Sequence, residues 1–433
     1  MSRSTSGGAN PGLGYDAAPP LSAPLRFFLT APLFGIAAGL VLIGGSGVLE
    51  SRWTPGALAV VHLFAVGFLL QIMLGALIQI LPVVAGASLP SPLRVARLLH
   101  VGLSLGAAGL AGGLGYAQPD LLIGGAGLLG ITLAGFLACA AYAVALAPAT
   151  TMASRTPRDL RLALSALAVA LALGLALALG LGRGLYLPLP FPVQVDLHAG
   201  WALLGWAGII LAATSWVVVP MFHITPSYPL ALTRYWAPIM LVVLAVWSLS
   251  SAAGFSSLAT IMLIVLLACA GAFLGTTLYL QSRTRRSTPD APFRAFRLAM
   301  IALLASIGVL VISNLSDAAH WPVLAGVLAL HGGLGGATSA MLYKIVPFLS
   351  WLNLTQTGVK APNVRKLLPE ARVRAQLRMH AATLAMLVLA ALIPALAPLA
   401  GLMLVIESAW LLANMIFVVK MWRNARPSPQ IPA

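Results

Sequence analysis

The sequence predicts an all-α, polytopic membrane protein with twelve transmembrane helices, arranged as three pseudo-repeats of four helices. Hydrophobic residues make up 60% of the chain and charged residues only 8%, whereas soluble domains carry about 25% charged residues. The apolar residues form twelve runs, each long enough, at about twenty residues, to cross a bilayer. Because backbone groups in hydrocarbon must be hydrogen-bonded internally, and no run alternates in polarity, each run is expected to be a helix.

The chain divides into one membrane domain over 24–420 and two short tails. Residues 1–23 are small and polar with scattered prolines, so they are expected to form a disordered cytoplasmic tail. Residues 421–433 form a second cytoplasmic tail. The repeat-like units of the membrane domain cover about 24–150, 155–285 and 293–420. The second helix of each unit holds most of its polar residues, and the other helices are expected to face lipid or to pack through small residues.

The net charge of +16 follows the membrane topology. If the amino terminus lies inside, all of the 25 Lys and Arg residues except Arg52 and Arg183 lie in the inward segments and their flanks. This distribution obeys the positive-inside rule. We therefore expect a bacterial-type cytoplasmic (inner) membrane protein with both termini in the cytoplasm and the lipid bilayer as its surroundings. Nucleic acid is not expected as a partner.

One histidine stands in the second helix of each unit, namely His62, His198 and His331. They are 136 and 133 residues apart in the sequence. Counted from the predicted helix starts, all three lie about 9–15 Å into the membrane, which predicts one layer of histidines in the outer half of the bilayer. Each of these helices also carries a proline toward its far end: Pro82, Pro220 and Pro347.

A layer of neutral imidazoles is suited to bind a metal ion or a haem iron. The simpler interpretation is that each histidine is hydrogen-bonded to a carbonyl or hydroxyl group of a neighbouring helix. A haem between two helices needs one imidazole from each helix and glycine-lined faces for the porphyrin. Met73 lies three turns beyond His62 and is a candidate to line the pocket or to ligate. The glycines that suit a porphyrin face are Gly67, Gly75, Gly332, Gly333, Gly335 and Gly336.

Three further charged residues are candidates for the site. Glu407 is a carboxylate within a predicted span, where polar groups are usually functional; the alternative is a protonated carboxyl group bonded to a neighbouring helix. Arg52 and Arg183 lie on the predicted outer side, where they could meet haem propionates. Charge pairing with Glu50 or Asp196 is the simpler explanation of these arginines.

The remaining histidines lie near predicted helix ends. His100, His223 and His380 are placed toward the cytoplasmic side, and His320 just outside the tenth helix. Because amphipathic side chains near helix ends reach the membrane surface, we expect these four to be interfacial groups and not ligands.

The twelve helices, the three units and the histidines of helices two, six and ten resemble the catalytic subunit of haem–copper oxidases. NnrS-like haem membrane proteins are a second family that the chain resembles. The resemblance implies that His62 and His331 are the axial ligands of a b-type haem, and that His198 matches a copper ligand. The oxidases carry further copper-binding histidines on helix seven, and residues 232–254 contain none. A complete oxygen-reducing centre, and hence oxidase activity, is therefore not expected.

Three functions fit the sequence. The first is a b-type haem protein in electron transfer or in a nitric-oxide or respiration-linked response, with His62, His198 and His331 as metal ligands, copper as a second candidate cofactor, and a redox partner or partner subunit. The second is a transporter of a metal ion or small solute along a histidine-lined path. The third is an assembly subunit without a cofactor. Which two of the three histidines share a ligand is left open by the sequence.

Overall fold

The computed structural model describes residues 18–147, 155–359 and 361–426. In this part of the chain the regular structure is helical throughout, and twelve helices are long and apolar enough to cross a membrane. The predicted all-α fold with twelve spans is thus confirmed. The spans are α1 Ser22–Ile43, α2 Pro55–Ala85, α3 Pro92–Gly115, α4 Pro119–Ala145, α5 Arg155–Arg183, α6 Phe191–His223, α7 Leu230–Ala252, α8 Ser256–Ser282, α9 Ala291–Ser313, α10 His320–Gln356, α11 Glu370–Leu392 and α12 Pro394–Asn424.

Both described ends of the chain lie on the same side of the bundle, because the number of spans is even. We call this side the terminal end and the opposite side the distal end. Most of the tail predicted for 1–23, and the last part of that predicted for 421–433, lie outside the described residues. Where the structure does describe these regions, α1 begins at Ser22 and α12 continues to Asn424.

The helices form a closed bundle in which α12 packs against α1. Gly39 and Gly401 allow this contact. A Cβ atom at Gly39 would lie 2.6 Å from the carbonyl oxygen of Gly401, and a Cβ atom at Gly401 would lie 2.5 Å from that of Gly39. Small residues at such crossings let helix backbones approach closely within a membrane. The remaining helices surround α2, α6 and α10, which hold the three predicted histidines.

Each of α2, α6 and α10 contains a π-helical segment of eight residues, at Leu63–Leu70, Trp201–Gly208 and Leu328–Gly335. In all three helices the proline lies twelve residues after the last residue of that segment: Pro82, Pro220 and Pro347. The shared position of segment and proline supports the three-unit organisation. Such π-helical segments in α-helices are rare and are often found at functional sites.

The histidines do not occupy equivalent positions relative to these segments. His62 directly precedes its segment, His198 lies three residues before the next one, and His331 lies within the third. The three histidines, predicted to form one layer, therefore differ in register relative to the π-helical segments. Since the extra residues of a π-helical segment change the direction of later side chains, His331 faces different neighbours from the other two histidines.

Candidate metal centres

His62 and His198 face each other across the interface between α2 and α6. Their ring centroids are 6.5 Å apart, and the ring planes differ by only 12°. The backbones of these two helices stay further apart than those of α2 and α10, whose π-helical segments are in contact. The two imidazoles thus extend toward each other from well-separated helices.

Hydrogen bonds to backbone carbonyl oxygens fix the orientation of both rings. His62 Nδ1 lies 2.7 Å from the Leu58 oxygen, and His198 Nδ1 lies 3.0 Å from the Ala170 oxygen. A carbonyl oxygen only accepts, so each neutral ring carries its hydrogen on Nδ1 and keeps a lone pair on Nε2. This is the tautomer that metal-binding histidines adopt, with the second nitrogen held by a carbonyl or carboxylate group.

The space for the His198 ring depends on Gly174 of α5. A Cβ atom at this position would lie 2.9 Å from His198 Cε1, which is closer than real side chains approach. Any larger residue would move the imidazole. The position of His198 therefore depends on the neighbouring helix α5 as well as on α6, to which His198 belongs.

The second cluster joins α10, α11 and α12 through Glu407. His331 Nε2 lies 2.9 Å from Glu407 Oε2, and His380 Nδ1 lies 2.7 Å from Glu407 Oε1. The two rings are stacked with centroids 4.6 Å apart. All three side chains are buried, at 4%, 2% and 6% exposure in chain order. We call these three residues the His–Glu–His cluster.

The His–Glu–His cluster could hold a metal ion, because its three donor atoms lie within 4.8 Å of one another. The hydrogen-bond partners of the cluster do not compensate the negative charge of Glu407. The carboxylate group of Glu407 accepts from two imidazoles, while His331 Nδ1 and His380 Nε2 are buried and have no hydrogen-bond partner among the described residues. A buried carboxylate costs several kcal/mol unless a positive charge compensates it. A divalent cation bound by the three side chains would supply that charge.

Polar side chains continue from this cluster toward the terminal end. The Gln376 side chain donates to the Glu407 carbonyl oxygen at 3.4 Å, and Asn414 donates to the Tyr343 hydroxyl at 3.0 Å and to the Arg372 carbonyl at 3.4 Å. Gln376 and Asn414 are fully buried, which is costly in an apolar bundle unless the polar groups have a role. They form a buried polar column between the cluster and the start of α11.

The structure corrects the predictions for His380 and His223. His380 is buried in the cluster and not interfacial, because α11 begins at Glu370 and places this histidine almost three turns inside the helix. His223 is also fully buried, with its Nδ1 atom 3.2 Å from the Gln281 side-chain nitrogen. One sequence signal could have found His380. Together with Gln376 and Thr383 it forms a polar stripe at spacings of four and three residues in an otherwise apolar helix.

Arg52, Arg183 and Met73, the remaining candidates from the sequence, have other surroundings than the histidine rings. Arg52 pairs with Asp196 and Arg183 with Asp120, each at 2.8 Å, in exposed ion pairs at the distal end. Met73 is buried in the apolar core. Charge pairing, the simpler explanation of the two arginines, thus has direct support, although for Arg183 the partner differs from those considered.

The glycines expected to face a porphyrin pack instead against neighbouring side chains. Cβ atoms at Gly67 and Gly75 would overlap side-chain atoms of Phe34 and Phe27 in α1. Cβ atoms at the four glycines that follow His331 in α10 would likewise meet side chains of other helices. The expectation that these glycines leave a flat open face is therefore wrong, because aromatic and aliphatic side chains of other spans fill the space.

An ionic cluster closes the terminal end next to His223. The Asp290 carboxylate caps the first turn of α9, accepting from the Phe293 N–H at 3.1 Å, and pairs with Lys344 and with Arg286 at 2.9 Å. Burial alone would raise the pKa of Asp290, but these partners outweigh burial and lower the pKa below its ordinary value. The carboxylate is therefore ionised at neutral pH and compensates the charge of Lys344.

The histidines of the three central helices thus belong to two separate centres, His62 with His198 and His331 with His380 and Glu407. The His331 ring contacts Phe64, with ring centroids 5.9 Å apart, and stacks on His380. Phe64 lies two residues after His62 on α2, so this helix contributes a side chain next to each of the two groups. No protein-family model matches this chain, and a search of curated proteins finds no significant match either.

Proposed function

We propose that this protein is a membrane-embedded b-type haem protein that transfers electrons, with the haem iron held by His62 and His198. The spacing of these two rings carries the proposal. An iron–nitrogen bond of about 2.0 Å, and about 1.1 Å from a ring nitrogen to the ring centre, would place the centroids of two imidazoles that hold one iron about 6.2 Å apart. The 6.5 Å separation of His62 and His198 fits this value.

The protein's own part in this function is to hold and orient the ligands. The Leu58 and Ala170 carbonyl oxygens fix the Nδ1–H tautomers, and Gly174 leaves room for the His198 ring. When bound, the haem supplies one-electron redox chemistry. His62 and His198 would both be bound to the iron, and two ligands from the protein favour electron transfer over catalysis there.

The His–Glu–His cluster is proposed to bind a second metal ion. Two imidazole nitrogens and one carboxylate oxygen form the ligand set of non-haem Fe(II) sites and of many Zn²⁺ sites. Copper also binds imidazole, but a carboxylate ligand favours Fe²⁺ or Zn²⁺. Phe64 of α2 packs on His331, with ring centroids 5.9 Å apart, and forms part of the apolar wall of this cluster.

A second candidate function is transport of that metal ion. The observation in its favour is the buried polar column of Gln376, Asn414 and Tyr343, which leads from the cluster toward the terminal end. Uptake of zinc into proteoliposomes, lost in Asn414→Leu, would favour transport. A haem protein without transport would show no such uptake.

The test of the proposed function is the cofactor content of the purified protein. After expression in haem-supplied cells, we expect a Soret band, a haem analysis that gives about one b-type haem per chain, and elemental analysis that gives about one further Fe or Zn ion. Protein that is folded and helical but has no Soret absorbance would contradict the haem proposal. Haem without the further ion would contradict the second site alone.

A further inference from the structure

A cavity of about 660 Å³ lies between α6, α7, α8, α9 and α10, away from the histidine rings. Its volume falls within the range of about 300–1,000 Å³ that is usual for small-molecule sites. Residues from the π-helical segments of α6 and α10, including Leu203 and Leu334, form part of its wall. Neither the haem site nor the His–Glu–His cluster accounts for it.

The cavity extends along the helices for at least the depth of one lipid leaflet, since Asp196 and Leu211 of α6 both line it and are fifteen residues, or about 22 Å, apart along the helix. Trp247, near the distal end of α7, and Trp236 both line it, and they are eleven residues apart, which is about 16 Å along a helix. Leu303 and Ser313 of α9 bound a similar length. The hydrocarbon of one leaflet is about 15 Å thick, half of the bilayer's apolar core of about 30 Å.

Polarity is confined to the mouth of the cavity. The walls are aliphatic and aromatic, and the Ser306 hydroxyl donates to the Ala325 carbonyl oxygen within the bundle. At the distal end the lining includes Arg52, Asp196 and Asp317. A ligand must therefore place a long apolar part in the slot and a polar group at the distal surface.

We propose that this cavity binds a zwitterionic glycerophospholipid from the distal leaflet, with an acyl chain in the slot. The three charges at the mouth match a headgroup that carries a phosphate and a primary ammonium. Arg52 pairs with Asp196 through Nη1 at 2.8 Å, so phosphate would bind the other N–H groups of its guanidinium, and the Asp317 carboxylate would bind the ammonium group. Two carboxylates beside one arginine disfavour a headgroup with net negative charge. The proposal is independent of the bound haem.

Gly326 allows a direct test, because it lines the cavity and a Cβ atom there would have nothing within 4 Å. Gly326→Phe should therefore place its ring in the slot, since the first atom of its side chain meets no neighbour. Gly308 is the matched control, since it lies in a helix, has the same free space around its Cβ position, and is not among the residues that line the cavity.

The experiment is native mass spectrometry of the full-length, delipidated protein mixed with equimolar phosphatidylethanolamine and phosphatidylglycerol. We expect one phosphatidylethanolamine per wild-type chain, unchanged binding in Gly308→Phe, and at least tenfold lower occupancy in Gly326→Phe. Undiminished binding in Gly326→Phe, preference for phosphatidylglycerol, or displacement of the lipid by an added isoprenoid quinone would overturn the proposal.

A surface variant keeps the test decisive if Gly326→Phe does not fold. Asp317 is exposed at the mouth, so Asp317→Asn should leave folding intact. We expect it to reduce the preference for phosphatidylethanolamine over phosphatidylglycerol, because the carboxylate partner of the ammonium group is lost. An unchanged preference for phosphatidylethanolamine over phosphatidylglycerol would show that the charges at this mouth do not bind the headgroup, and would contradict the proposal.

Discussion

Replacing Glu407 by glutamine is expected to cost about 1.5–3 kcal/mol of stability, the usual contribution of a hydrogen bond to a charged group. The Glu407 carboxylate accepts hydrogen bonds from His331 and His380, both buried. A glutamine side chain offers only one acceptor oxygen, so its NH₂ group would meet the other imidazole. We also expect loss of the bound ion, since a neutral amide is a weak ligand. Unfolding in detergent and elemental analysis measure the two effects.

Glu370→Gln is the matched control for this change. Glu370 is half-exposed at the start of α11, where it pairs with Arg374 at 3.3 Å. Surface pairs of this kind contribute about 0–1 kcal/mol, so we expect little change in stability and none in metal content. If Glu407→Gln were as stable and as rich in metal as Glu370→Gln, neither the stabilising hydrogen bonds nor the metal site would exist as described.

Loss of either imidazole of the facing pair is expected to remove the haem, whereas loss of His331 is not. His62→Ala and His198→Ala each leave one axial ligand, and we expect haem content to fall about tenfold or more. His331→Ala leaves both rings of the pair in place. Soret absorbance per mole of folded protein measures the result. Haem retained in His198→Ala but lost in His331→Ala would instead support ligation by His62 and His331.

Gly174→Val tests the position of His198 without removing a ligand. Its side chain would displace the imidazole, because even a Cβ atom would lie 2.9 Å from Cε1. We expect lower haem occupancy from this variant. Gly271→Val is the control, since a Cβ atom at Gly271 meets nothing within 4 Å; an equal loss in both variants would point to general destabilisation of the helices.

The sequence predicted the number of spans and most of the polar residues at the centres, but not their pairing. Hydrophobic run length decides whether a segment crosses the bilayer, so all twelve helices follow from composition. The pairing of His62 with His198, and of His331 with Glu407, depends on how each helix is rotated about its axis. The π-helical segments at Leu63–Leu70 and Leu328–Gly335 change that rotation. The glycines in these helices do not by themselves predict such segments.

His380 shows a second limit of the sequence. Its distance from a predicted helix end suggested the membrane surface, but a few residues of error in a helix boundary correspond to a full turn. Depth along a helix is therefore less informative than the face on which a residue lies. Glu407 is a candidate from the sequence because a charge within a span is costly, but its partners on α10 and α11 could not be assigned from spacing.

The electron paramagnetic resonance spectrum of the purified ferric protein tests the pairing of His62 and His198 most directly. The two ring planes differ by 12°, and nearly parallel axial imidazoles give a rhombic low-spin spectrum. We expect that spectrum in the wild type and in His331→Ala, and its loss in His198→Ala. A high-spin signal in the wild type, or the strongly anisotropic signal of perpendicular imidazoles, would contradict haem ligation by this pair.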